Sequence, residues 1–221
     1  MKRQSQRQRF ESRWPVALTI CAVMGLLGLL PGRIRLLPNW LVYVGGITVL
    51  TPIAVVELTA AKARWLRIER IVTLLFFVAA AAGNLVNLAN LIYAMAYRSA
   101  QVGGLQLLGS SVAVWITNVL VFSLLYWHID RGGPEARVND AGVRPDWLFP
   151  QRGAPAEDVP PDWKPTYVDY LFLAYETATA FSTTDVMPLT CRAKALMMLE
   201  STIALVTLVV VAARSINILG T

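Results

Sequence analysis

The apolar positions of this chain fall in long blocks, separated by short polar, basic or proline-rich stretches. A helix needs about 20 predominantly apolar residues to cross a bilayer, which makes block length the first guide to architecture. The first block runs from residue 14 to about 31, the second from 40 to about 60, the third from 71 to about 97, and the fourth from 105 to 127. A last block runs from about 193 to 219. Between the fourth and the last, residues 130 to 166 hold seven prolines, four glycines and mixed charges, the composition of an extramembrane loop. The stretch YVDYLFLAYETATA follows, an apolar segment of about 14 residues that would rise only about 21 Å as a helix. Such a helix enters a bilayer without crossing it. The polar patch FSTTDV comes next, and irregular backbone is tolerated at membrane depth only where protein or a water-filled cavity shields it. The pattern therefore predicts an all-α integral membrane protein with about five transmembrane helices, plus one short re-entrant helix and hairpin.

Composition supports the membrane and removes other classes. Hydrophobic residues make up 56% of the 221 and charged residues 15%, whereas a soluble domain carries about 25% charged residues. The net charge of +6 sits in short segments flanking the apolar blocks, which fits membrane topology better than nucleic-acid binding. The basic preface MKRQSQRQR lacks a small-residue cleavage site beyond the first block, so that block reads as an anchor and not as a signal peptide. Lys2, Arg3, Arg7, Arg9 and Arg13 precede it, and Lys62, Arg64, Arg67 and Arg70 lie in AKARWLRIER, read as the second loop, while Arg33, Arg35 and Arg98 fall on the opposite side. The excess places the N-terminus in the cytoplasm, and four spans place the 130 to 166 loop there too. The expected location is a bacterial inner membrane. Three regions follow: a basic N-terminus (1–13), a three-span region (14–104), and a module with the fourth span, the loop, the short helix and the last helix (105–221). Cys21 and Cys191 indicate neither a disulfide framework nor a metal cluster. The sequence contains no Walker loop, HExxH, nucleophile elbow or cysteine–histidine cluster, so no enzyme, cofactor or metal is expected.

The stretch ETATAFSTTDVMPLTCRAK resembles the pore loop of two-helix potassium channels. That family's pattern runs ETAT, a T-V-G-Y-G filter, D, P and a basic residue opening the inner helix. Aligned on Asp185, Glu176, Thr177, Ala178 and Thr179 match the end of the pore helix, Pro188 and Thr190 its turn, and Lys194 the basic residue. The resemblance implies that Glu176 and Asp185, nine residues apart, brace the back of the loop. Two close carboxylates in low dielectric cannot both stay charged, so one is expected to hold a proton. The filter positions fall on Ala180, Phe181, Ser182, Thr183 and Thr184, without either glycine, and the inner-helix glycine falls on Ala204. Without glycine, the torsions that stack carbonyls around a dehydrated potassium ion carry a steric cost. A hydroxyl-lined, weakly selective passage for monovalent cations is the corresponding expectation, built by a homo-oligomer, a tetramer if it forms a pore. The wider layout, with DWLFP in the loop and YVDY opening the short helix, is similar to a bacterial multi-span membrane protein family of unassigned function. A non-conducting small transporter or membrane scaffold is the other reading.

Further polar residues fall within the apolar blocks. Asn84, Asn87 and Asn90 recur at helical spacing in the third, either as interhelical hydrogen-bond glue or as the lining of a hydrophilic pathway. Glu57 requires a partner or a proton, and serves function or structural pairing equally well. Glu200 follows Lys194 closely enough for a local ion pair at the membrane edge. His128, after Tyr126 and Trp127, reads as an interfacial-belt residue, with proton sensing as the lesser alternative. Ser110, Ser111, Thr117 and Asn118 read as helix-packing residues.

Overall fold

A computed structural model describes residues 13–30, 39–58, 63–97, 104–139, 141–160, 162–179 and 185–219. Its helices are α1 (Trp14–Leu29), α2 (Asn39–Leu58), α3 (Ala63–Tyr97), α4 (Gly104–Ile129), α5 (Pro134–Val138), α6 (Tyr167–Thr179) and α7 (Cys191–Leu219). Two short strands, β1 (Trp147–Leu148) and β2 (Met187–Pro188), pair antiparallel, with Trp147 opposite Pro188. Three stretches are long and apolar enough to cross a membrane: Arg70–Met95, Leu105–Gly132 and Cys191–Ala212. α1 is a shorter apolar helix. The class is all-α, with membrane-length helices.

Several residues singled out above lie outside the described set. These are the filter-like positions Ala180, Phe181, Ser182, Thr183 and Thr184, and the basic residues Lys2, Arg3, Arg7, Arg9, Arg33, Arg35, Lys62 and Arg98. The side chains of Glu57, Arg64 and Arg67 also fall outside it.

α4 is the hub. It packs against α1, α3, α6 and α7, while α2 packs on α1 and α3. Residues 121 to 128 are all buried, two full turns with no solvent-facing side, as expected of a helix enclosed all round. The helix ends in a tight turn: Arg131, Gly132 and Gly133 all have positive φ. Gly133 is required twice over there, since its φ is +98° and a Cβ would come within 3.1 Å of the His128 carbonyl.

One expected boundary is overturned. AKARWLRIER was expected to be a loop, yet α3 is already helical at Ala63 and continues for 35 residues, about 52 Å. Alanine, arginine, leucine and glutamate are good helix formers, and no glycine or proline occurs from 63 to 82. Charge marks where apolar character stops, not where the helix stops.

Thr166 precedes α6, and its amide and hydroxyl both donate to Asp169 Oδ2, at 2.7 and 2.9 Å, so the Asp169 carboxylate closes the first turn. Its buried residues Tyr167, Tyr170, Leu173, Ala174, Thr177 and Ala178 form one face. Val168, Phe172 and Tyr175 stand exposed on the other.

Candidate functional site

The site is the hairpin made by α6 and the chain that returns through Asp185–Thr190. Two buried aspartates tie both of its ends to one layer. Asp130, at the end of α4, accepts the Tyr170 hydroxyl on Oδ2 at 2.6 Å, which seats the first turn of α6. Its Oδ1 accepts the Asp146 amide at 2.7 Å, which seats the loop. Asp146 in turn holds the far end of the hairpin: its carbonyl accepts the Leu189 amide at 2.7 Å, and its Oδ1 accepts the Thr190 hydroxyl at 2.6 Å. The Arg192 guanidinium donates to both carboxylate oxygens, through Nε to Oδ1 and through Nη2 to Oδ2. This is the bidentate fork geometry that makes an arginine–carboxylate pair strong and directional. Thr190 also caps α7, its hydroxyl accepting the Ala193 amide at 3.2 Å.

Between these ties, α6 descends along α4 and α7. The Tyr167 hydroxyl shares a 2.8 Å hydrogen bond with Ser123 of α4. At the other end, Ser201 of α7 donates to the Thr177 carbonyl at 3.1 Å, occupying a backbone acceptor that the helix end leaves open. Thr179 closes the last turn by donating to the Tyr175 carbonyl at 2.7 Å. The chain thus leaves the Asp130 layer along α6 and is back beside Asp146 by Met187–Pro188.

Glu176 lies in the last turn of α6, and Asp185 opens the described return segment. Lost solvent, and then the charge of Asp185, push the Glu176 carboxyl above the ordinary carboxylate range. Its Oε2 is buried without a hydrogen-bond partner among the described residues, whereas Asp185 is exposed.

The remaining predicted residues divide. Asn84 of α3, Asn118 of α4 and the Glu200 carbonyl of α7 form a buried chain: Asn84 donates to Asn118 at 3.4 Å, and Asn118 donates to the carbonyl at 3.1 Å. Asn87 is buried and Asn90 half-buried on the same helix as Asn84. Ser110 and Ser111 each donate to a carbonyl four residues back in their own helix. Pro188 is half-buried in β2.

One expectation does not survive. Glu200 does not pair with Lys194; it is fully buried and accepts the Tyr126 hydroxyl, while Lys194 is exposed. Six residues along a helix leave two side chains about 120° apart around its axis, so this pair never shared a face. His128, near the end of the apolar stretch Leu105–Gly132, is buried, with Nε2 against the Arg70 carbonyl at 2.9 Å and its ring edge-on to Phe77.

Asp130, Asp146, Tyr126, Tyr170 and Arg192 escaped the sequence reading. The signal available for Asp146 was the Asp-Trp pair in an otherwise proline-rich loop. Trp147 is fully buried, its ring 4.8 Å from that of Tyr126 and its indole N–H directed at the Met197 sulfur.

The arrangement defines a helical membrane protein whose loop strap holds a short helix and its return segment. Comparison with protein-family models, with curated proteins and with solved structures finds no match.

Proposed function

We propose that α6 and its return segment form a re-entrant pore-type hairpin in a channel-like protein of five spanning helices, passing monovalent cations with little preference among them. The observation that carries this reading is the double tie to Asp130 and Asp146, which keeps the start of α6 and the start of α7 in one layer. A helix of 13 residues rises about 20 Å, less than a bilayer's hydrocarbon thickness, so the chain enters and returns. The C-terminal end of α6 carries the negative end of its dipole, Ser182, Thr183 and Thr184 follow it in the sequence, and Glu176 and Asp185 add acidic character. These features favour cations over anions. Selection of potassium over sodium needs a fixed ligand cage that this sequence lacks.

Charge and contact together support entry from the cytoplasmic side. Arg13, at the start of α1, forms an ion pair with Glu135 of α5. The loop therefore meets the start of α1, and the basic residues that precede α1 in the sequence belong in the cytoplasm by the positive-inside rule. A polar hairpin cannot face lipid, and the apolar α6 face of Val168, Phe172 and Tyr175 is open to a second copy of the chain. A homo-oligomer, tetrameric if it encloses a pore, meets both needs.

One observation favours a second reading. α6 packs along α4 and α7 of its own chain, as a hairpin used only for packing in a scaffold or small transporter would. Cation flux into liposomes containing the purified protein decides between the two. Weakly selective flux that Ser182→Ala and Thr183→Ala alter more than Asn87→Ala supports conduction. Strong potassium selectivity would refute the filter argument, and absence of flux from a verified tetramer would favour the scaffold.

A further inference from the structure

Glu200 lies in the middle of the apolar stretch Cys191–Ala212 and has no accessible surface. Tyr126 donates its hydroxyl to Oε2, while Oε1 meets no hydrogen-bond partner among the described residues. We infer that Glu200 and Tyr126 form an intramembrane proton-binding site, with the proton carried on Glu200 Oε1 at neutral pH. This stands whether or not the hairpin conducts.

Charge and coordination both favour a bound proton. An ionised carboxylate in an apolar bundle requires a cation or several strong donors. Among the described residues, the charged groups on the elements around Glu200 lie away from it. On α4, His128 faces the Arg70 carbonyl of α3 and Asp130 takes Tyr170. On α6, Glu176 faces Asp185. On α7 itself, Arg192 is bound to Asp146, and Lys194 is exposed. Among the described residues, Tyr126 is the ionisable group that reaches the carboxyl, and it does so as a neutral donor.

A metal cation is a poorer occupant than a proton. Hard cations collect about six or more oxygens, and this carboxyl is joined by one phenol, whose ring lies against Trp147 and Phe122. A proton needs only Oε1. The neutral acid then accepts from Tyr126 on Oε2 and has no charge left to solvate. Intramembrane acids of this kind mark proton-handling positions.

Infrared difference spectroscopy of the full chain in lipid bilayers tests the site. At neutral pH the protein should give the carbonyl stretch of a protonated carboxyl that disappears in Glu200→Gln, persists in Glu176→Gln, and shifts in Tyr126→Phe as its hydrogen bond is lost. A spectrum that Glu200→Gln leaves unchanged would overturn the proposal. So would a carboxylate band, lost in the same variant, that responds to sodium or potassium, because the occupant would then be a metal cation. If Glu200→Gln fails to fold, the Tyr126→Phe shift decides alone, and no shift counts against the site.

Discussion

The Asp146–Arg192 tie makes an asymmetric prediction. Asp146 is fully buried, whereas the Arg192 side chain is 57% exposed. Arg192→Ala leaves a buried carboxylate with the Thr190 hydroxyl as its remaining side-chain donor. Stranding a buried charge costs about 3–5 kcal/mol, and the exposure of Arg192 screens part of the lost attraction, so the low end of about 3 kcal/mol applies. Asp146→Asn keeps an acceptor for Thr190 and releases a guanidinium that water can solvate. The loss is then one charge-assisted interaction, about 2 kcal/mol. Removing the exposed partner should therefore hurt more than neutralising the buried one. The double variant should cost less than the sum, because once Asp146 is neutral Arg192→Ala strands no charge. Thermal unfolding of the purified protein in mild detergent reads this out, with Arg192→Ala about 6–12 °C below the parent. Lys194→Ala, on an exposed side chain, should stay within about 0.5 kcal/mol of the parent. If Arg192→Ala unfolds no earlier than Lys194→Ala, the strap does not hold the hairpin and the reasoning fails.

Glu176 should impose a pH dependence of definite sign. Its carboxyl sits above its ordinary value in the folded chain, so folding favours the protonated form. Stability is full below the ordinary carboxylate pKa and falls as pH rises through the raised folded value; melting temperatures across that window should decline for the parent and flatten for Glu176→Gln. Asn118 should behave as glue between three helices: Asn118→Leu loses two intramembrane hydrogen bonds averaging about 0.6 kcal/mol each, for a total of about 1 kcal/mol. A loss beyond about 3 kcal/mol in detergent unfolding would mean that Asn118 does more than join helices.

Much of the helical layout could be read from block length alone. The short α6, at Tyr167–Thr179, falls where an apolar segment too short to span was followed by hydroxyls and a carboxylate. The asparagine stripe on α3 does contribute an interhelical bond, through Asn84. The strap was hidden because its contacts join residues 16 to 46 apart through an irregular loop, with no periodicity to betray them. Arg192 and Lys194 are both basic and both near the start of α7, so sequence could not rank them; the position of Asp146 does. Glu200 was misassigned because closeness in sequence stood in for direction around the helix, and its partner Tyr126 lies 74 residues away. The two-residue pairing of β1 with β2 is too short to leave a strand signature.

The central claim is that the chain enters along α6 and returns to the side it left. Cys21 and Cys191 are exposed and would have to be removed, as Cys21→Ala and Cys191→Ala, before single cysteines are introduced by Ala156→Cys, ahead of α6, and Leu189→Cys, at the end of the return segment. Labelling of oriented membrane vesicles with an impermeant maleimide should modify both positions from the cytoplasmic side. Modification of the two from opposite sides of the membrane would make α6 and its return segment a crossing, and the hairpin account would be wrong.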